Sequence, residues 1–347
     1  MGAYGPASAR PAVRRRLAAL VVLAAVVLAA CGSSSTGTAA PTSAPVVIPK
    51  GALVVHPSPP TGPGDTCNAT ASLRPPATMP TPGQMPSGSS MAQIEARGYL
   101  KVGVAQSTFL WGYRDPVTGQ LSGFDIDMLR QVALAIFGSS DPKYIHFVIV
   151  PNAERAQAVQ KGEVDVLAET MTINCAREGH GSDPSKTPVD FSTVYYLAGQ
   201  KILVPTNSAI TGPQDLGGKR VCAPAGSTSL QNLVAPGMPK NIRLWAVNDT
   251  TDCLVMLQQG QVDAISTDDA ILLGLAAQDQ NTKIVGSAFS TEPYGIAISK
   301  SHTDLTSFVN GVLAQVRADG VWTQIYDTYL QPHIGGAAPA PPPASYR

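Results

Sequence analysis

From residue 91 onward the hydrophobic positions change period repeatedly. Residues 91–97 read as a short helix. Residues 99–105 (YLKVGVA) alternate, the pattern of a strand with one buried face. Helical spacing follows from Gly123 to about Phe137, with Asp125 and Asp127 in the first turn, where the helix dipole favours acids. Residues 144–150 read as a strand, 152–161 as a helix and 164–168 as a short apolar strand. This β-α-β-α-β order predicts an α/β fold with a mostly parallel sheet covered by helices. A second set follows. Strands at 200–204, 221–223, 262–265 and 294–298 alternate with helical stretches at 230–234, at 253–259 and from Asp268. Helices at 304–319 and 321–330 close the pattern.

Ahead of residue 91 the chain is of another kind. Residues 1–16 carry Arg10, Arg14, Arg15 and Arg16 and no acid, and residues 17–30 are an unbroken apolar run of 14. That run is short for a membrane span and has the length of a signal-peptide core. It ends Leu28-Ala29-Ala30-Cys31, which resembles the lipobox of bacterial lipoproteins, whose cysteine is acylated after cleavage before it. Residues 1–30 are expected to be a lipoprotein signal peptide and Cys31 the lipidation site. Residues 31–90 are rich in Gly, Ser, Thr, Pro and Ala. They are expected to form a flexible tether, because so few large apolar groups cannot offset the entropy of ordering. The small apolar islands 46–48 and 53–55 interrupt it, and the sequence leaves open whether they dock on the domain. Residues 334–347, rich in Pro and Ala, are expected to be disordered.

Composition narrows the function. Without the signal's four arginines the chain holds 20 basic and 24 acidic residues, a balance of −4. No basic face stands out, which argues against nucleic acid. His56, His146, His180, His302 and His333 are scattered and no Cys-x-x-Cys occurs, so neither metal nor cofactor is expected. Cys67, Cys175, Cys222 and Cys253 are an even set in an exported chain and read as two disulfides with three possible connectivities. Cys222–Cys253 is favoured because it joins a strand to the start of the helix before the next strand. Cys67–Cys175 then remains.

The candidate chemistry lies in residues 170–177 (TMTINCAR), just past the strand 164–168. The hydroxyls of Thr170 and Thr172, nearby backbone N–H groups and the planar fork of Arg177 suit a carboxylate. The stretch has an echo. Residues 158–166 and 256–264 are each a helix, a Gly stop and a Val-Asp-apolar strand. Thr170 lies eight residues after Gly162, as Asp268 lies eight after Gly260. Small ligands of open α/β sheets bind at the carboxyl ends of strands. Two lobes facing each other would bring Arg177 and Asp268 to one cleft, which suits a zwitterion. Ser227 and Thr228, after Gly226, add backbone N–H groups at a helix start, and Phe109 offers an apolar wall.

Seven segments in one order resemble the amino-acid-specific solute-binding proteins of ABC importers: GFDIDML (123–129), GEVDVLAETMTINCAR (162–177), VDFSTVYY (189–196), DLGGKRV (215–221), AGSTS (225–229), GQVDAISTDDAILL (260–273) and EPYGIAIS (292–299). The resemblance covers roughly residues 94–329. It implies the two-lobed, type II periplasmic-binding-protein-like fold, with one lobe over 91–196 and 297–333, the other over 197–296, and two crossing strands as hinge. It implies that Arg177 and Thr172 take an α-carboxylate, with the Thr228 backbone helping. Asp268 and the Thr170 region take the α-ammonium, and Gln106 and Phe109 line the pocket. Arg155 falls where glutamate- and aspartate-binding relatives meet the side-chain carboxylate, and Thr250 where a ligand-facing His can occur. The expected ligand is glutamate, aspartate or one of their amides. The partner is an ABC permease or a membrane sensor, and the receptor is a lipid-anchored monomer on the extracytoplasmic face. Dehydratases and lytic enzymes share this fold. Glu169 is the nearest general-acid candidate, but as a strand residue it points opposite to Thr170, so no catalysis is expected.

Overall fold

The computed structural model describes residues 48–57, 67–180 and 188–347. The signal segment, Cys31 and tether residues 31–47 and 58–66 lie outside them. No helix among the described residues is long and apolar enough to cross a membrane.

Two sheets organise the molecule. The first has five strands in the order Ile145–Ile149, Leu100–Val104, Val166–Leu167, Ala297–Ile298 and Asp190–Phe191. The second has six, in the order Leu53–Val55, Arg243–Val247, Arg220–Pro224, Ala264–Asp268, Gln200–Pro205 and Thr282–Val285. Each centre is parallel: Leu100–Val104 pairs parallel with both neighbours, and so does Arg220–Pro224. The edge strand Ile145–Ile149 is parallel too, while Leu53–Val55, Gln200–Pro205, Thr282–Val285, Ala297–Ile298 and Asp190–Phe191 pair antiparallel. The expectation of mostly parallel sheets thus holds for the strand–helix–strand units alone. Strands that return from the other half arrive without a crossover helix and pair antiparallel. Tyr196–Ala198 and Glu292–Tyr294 pair antiparallel and carry the chain across and back.

The core of the first lobe is built where helix Phe124–Phe137 meets the closing helices Thr303–Ala318 and Val321–Tyr329. Phe124, Trp322, Leu129 and Phe308 are buried there, each worth about 1.5–3 kcal/mol relative to exposure. Trp111, Tyr195, Tyr196 and Tyr294 extend this aromatic cluster to the crossing strands. The second lobe packs helices Thr250–Gln258 and Asp269–Gln278 on its sheet through Leu254, Leu257, Leu272 and Leu275.

Two expectations for the ends of the chain are corrected. Residues 67–90 pack on the first lobe instead of forming a tether. Met85 is in its core, and Asn310 Nδ2 donates to Ser72 Oγ at 2.8 Å and to the Leu73 carbonyl at 2.7 Å. Leu53–Val55 adds an edge strand to the second sheet. The tail is also ordered. Ser345–Tyr346 pairs parallel with Ala71–Ser72, and Arg347 bridges Asp190 at 2.8 Å and Glu178 at 3.4 Å. Composition alone misses both, because the partners are a free strand edge and two buried carboxylates distant in sequence. Disulfides join Cys67 to Cys175 and Cys222 to Cys253.

Candidate functional site

The strand Val166–Leu167 ends in a sharp bend. Thr170 has φ 44°, a left-handed conformation that β-branched residues rarely adopt. Asp125 holds it there, taking the Thr170 amide on Oδ2 at 2.9 Å and the Tyr195 phenol on Oδ1 at 2.6 Å. Burial raises the Asp125 pKa to about 7 against the pull of these bonds and of Arg155. Beyond the bend, Thr172 bridges to Tyr294, and the Ile173 amide donates to the Pro293 carbonyl at 2.7 Å. The stretch therefore runs against the crossing strand. Arg177 folds back, with Nη1 on the Thr172 carbonyl at 2.6 Å and Nη2 reaching the second lobe at the Gly226 carbonyl, 3.2 Å away.

The second lobe supplies the opposite wall. Asp268 ends the fully buried strand Ala264–Asp268. Its Oδ2 accepts from the Tyr294 phenol at 2.7 Å and its Oδ1 from Ser229 Oγ at 3.3 Å. Burial raises its pKa to about 7, and the nearby Glu292 adds to the shift. After Gly226, Ser227 caps the short helix Thr228–Asn232 by accepting the Leu230 amide at 3.1 Å.

Between these walls lies a tight cavity of about 20 Å³, lined by Asn152, Arg155, Thr170, Thr172, Arg177, Pro224, Ser227, Thr228, Ser229, Thr267, Asp268 and Ile271. Two broader hollows, one beside Asp263 and one beside His146, lie elsewhere and share none of these residues. Arg155 is buried. Its Nε and Nη1 bind the carbonyls of Asn152 and Glu169, each at 2.9 Å. Among the described residues neither Arg155 nor Arg177 forms an ion pair with a carboxylate, and their hydrogen bonds go to carbonyls. Arg177 is half-buried, and loss of hydration lowers its pKa to about 9, with Arg155 adding to the effect. A guanidinium stays charged at neutral pH all the same. The cavity thus holds more positive charge than its own acids offset.

Of the residues picked from sequence, Arg155, Thr170, Thr172, Arg177, Ser227, Thr228 and Asp268 share this cavity. Phe109, Gln106 and Thr250 are not among its lining residues. Phe109 packs on Tyr113 and His333, the Gln106 carbonyl takes the Arg114 amide at 2.7 Å, and Thr250 is buried at the start of its helix. Their side of the cleft is sealed by Ser107, whose Oγ donates to Asp249 at 2.6 Å and whose carbonyl accepts from Thr251 Oγ1 at 3.0 Å. Glu169 is buried with Oε2 unpartnered, and burial raises its pKa to about 8. It does not line the cavity.

Sequence reasoning misses Asn152, Ser229, Thr267 and, above all, Glu292. Asn152 stands one helical turn before Arg155, and that spacing could have found it. Glu292 lies on the crossing strand and is 2% exposed. Its Oε2 accepts from Thr172 Oγ1 and Thr228 Oγ1, each at 2.7 Å. Its Oε1 accepts from Ser290 Oγ at 2.6 Å and Asn232 Nδ2 at 2.9 Å. This changes the role expected of Thr172. A hydroxyl has one proton, and Thr172 gives its proton to Glu292 instead of holding it for a carboxylate.

The chain is similar to known proteins over most of its length. It is 35% identical over 243 residues to the ABC transporter glutamine-binding protein of Bacillus subtilis, covering 70% of this chain and 85% of that one. It is 31% identical over 255 residues to a glutamate-binding protein of Corynebacterium efficiens, covering 70% and 82%. Among solved structures, a mutant of the arginine-binding protein of T. maritima superposes with a TM-score of 0.61 at 27% identity, covering 70% of this chain and 99% of that one. The fold is the two-lobed, type II periplasmic amino-acid-binding architecture. Each of these relatives is named for the amino acid it binds, and the first is named as part of an ABC transporter. Residues 100–332 match the family model, and the chain belongs to the bacterial extracellular solute-binding proteins, family 3.

Proposed function

We propose that this protein is the lipid-anchored, extracytoplasmic receptor of an ABC importer and that it binds glutamine or glutamate between its lobes. One observation carries the reading. Two guanidinium groups without carboxylate partners among the described residues and one buried carboxylate line a single cavity between two lobes. The ligand's α-carboxylate meets Arg177 and its α-ammonium meets Asp268. Its side-chain oxygen, acid or amide, meets Arg155 and Asn152. A basic side chain would bring like charge against Arg155 in a desolvated site and is rejected. Relatives that bind glutamine and glutamate by name support the choice. The hinge is the pair of strands Tyr196–Ala198 and Glu292–Tyr294, and closure around the ligand is the form that the permease reads. Cys31 carries the lipid, and the receptor works as a monomer.

The test is calorimetry of the folded chain against the twenty amino acids. L-Glutamine and L-glutamate are expected to bind, and L-lysine is not. Arg177→Ala and Asp268→Ala should each abolish measurable binding, because an unpaired buried charge costs about 3–5 kcal/mol. Retained micromolar binding in either variant overturns the assignment. Cys31→Ala should release the protein from the membrane fraction.

A further inference from the structure

Glu292 is the buried charged group at the cleft that the ligand reading leaves without a task. A carboxylate has about four acceptor positions and no proton to give. Here four donors fill them, and they come from separate parts of the fold. Thr172 belongs to the bend after the first sheet's central strands. Thr228 and Asn232 belong to a helix of the second lobe, and Ser290 precedes the crossing strand itself. Glu292 has no free position for a ligand and is not among the residues that line the cavity. Thr172 and Thr228 do line it, with their hydroxyl oxygens 3.3 Å apart.

The consequence follows from counting protons. Each threonine has one hydroxyl proton, and both are directed to the same oxygen, Glu292 Oε2. What each hydroxyl can still offer is lone pairs. Two hydroxyl oxygens, one from each lobe, therefore act as acceptors in the cavity that Asp268 also lines. That suits an ammonium and is wrong for a carboxylate. Without Glu292 each hydroxyl could rotate its proton into the cavity and repel the ammonium.

We propose that Glu292 is a positioning residue of the ligand site. By taking the hydroxyl protons of Thr172 and Thr228 it turns their lone pairs toward the ligand's α-ammonium, and so sets the receptor's preference for α-amino acids. The proposal rests on the amino-acid-binding reading above. It also gives the crossing strand a direct part in recognition, because the residue that orients both lobes' hydroxyls stands on the hinge. The hydroxyls can be oriented together only when the lobes meet.

The test compares two ligands on one set of proteins by calorimetry: L-glutamine and 4-carbamoylbutanoate, the same molecule without its α-amino group. L-Glutamate and glutarate serve as a second pair. The unsubstituted chain is expected to prefer the amino form strongly. Glu292→Gln presents an amide in place of one acceptor oxygen and should weaken binding of the amino form by roughly tenfold or more, the scale of a hydrogen bond to a charged group. It should weaken the deaminated form far less, so the preference narrows. Thr172→Val should narrow the preference in the same way. Glu292→Gln combined with Thr172→Val should be no worse than the more severe of the two singles, because the Thr172 hydroxyl is one of the two that Glu292 orients. Glu292→Asp keeps the charge but withdraws the oxygen by one methylene, and is expected to narrow the preference likewise. It carries the test should Glu292→Gln fail to fold. Unchanged preference in the folded Glu292 variant, equal loss of both ligands, or fully multiplying losses in the double variant each overturn the proposal. A chain that binds no amino acid at all overturns the functional reading, and this one with it.

Discussion

The phenol of Tyr294 donates to Oδ2 of Asp268 at 2.7 Å, and both side chains are almost wholly buried. This bond, with that from Ser229, pulls the Asp268 pKa down, while burial, Glu292 and Asp269 push it up, to about 7 on balance. A ligand ammonium placed against Asp268 would lower it again. Binding should therefore release a proton below about pH 7, and affinity should fall as the pH drops from 8 to 5. Calorimetry in buffers of different ionisation enthalpy measures the proton directly. A binding enthalpy independent of buffer at pH 6 would remove Asp268 from the ammonium site.

Stability should depend on pH in the opposite sense to that of most salt-bridged proteins. Burial holds Asp125 and Asp268 at about 7 and Glu169 at about 8. Unfolded, such groups lose their protons near pH 4. Between these limits the folded state holds more protons than the unfolded one, so stability falls as pH rises from about 4 to 8. The unliganded protein should melt at a higher temperature at pH 5.5 than at pH 8. Glu169→Gln, which is neutral at both, should flatten this slope and raise the pH 8 melting temperature by about 2 °C or more. A steeper slope in that variant would show that Glu169 is charged in the folded protein.

The two disulfides should separate stability from binding. Cys222–Cys253 closes a sequence separation of 31 inside the second lobe, and replacing both cysteines by alanine should cost about 3–4 kcal/mol of unfolding free energy. Ligand affinity should change little. Cys67–Cys175 closes a separation of 108 and ends two residues before Arg177. Its removal should lower stability and also weaken binding severalfold, because the loop that presents Arg177 is no longer ordered in advance. Chemical denaturation and calorimetry on both cysteine pairs distinguish the two effects. Equal changes in affinity would show that Cys175 does not serve the site.

What is legible in the sequence follows the range of the forces involved. Thr170, Thr172, Arg177 and Asp268 are legible because a strand, its end and the next polar residues are local, and the repeat of Gly-x-Val-Asp marks the second end. Arg155 stands on the helix that feeds the same strand, but only the family resemblance singles it out. Glu292 is not, because nothing near Pro293 and Tyr294 indicates that two threonines and an asparagine from separate elements converge on it. The tail is misread for a related reason. Its composition cannot build a core, yet Arg317 Nε binds the Pro342 carbonyl at 3.0 Å, and Arg347 enters a pair of buried acids. Gln106 and Phe109 follow the predicted strand and Thr250 precedes the predicted helix, and interlobe bonds at Ser107 seal their side of the cleft.

Closure itself can be blocked at one position. Gly274 lies within helix Asp269–Gln278 of the second lobe, and a Cβ there would collide with the backbone carbonyl of Phe109 in the first. Backbone cannot yield as a flexible side chain can, so Gly274→Ala forces the lobes apart. The same change favours the helix, since glycine costs about 0.8–1 kcal/mol relative to alanine in a helix interior. The two effects have opposite signs and different readouts. Ligand affinity should fall by roughly tenfold or more, the equivalent of about 1.4 kcal/mol taken from the closed form. The melting temperature without ligand should hold or rise. Small-angle scattering should show a larger radius of gyration for Gly274→Ala than for the parent when both are saturated with ligand. Gly226→Ala, whose Cβ would lie 2.7 Å from Ala153 Cα across the same cleft, should lose affinity as well but melt earlier, because its φ of +67° strains an alanine. A Gly274→Ala protein that melts earlier without ligand would show the Phe109 contact to be permanent and not a feature of closure.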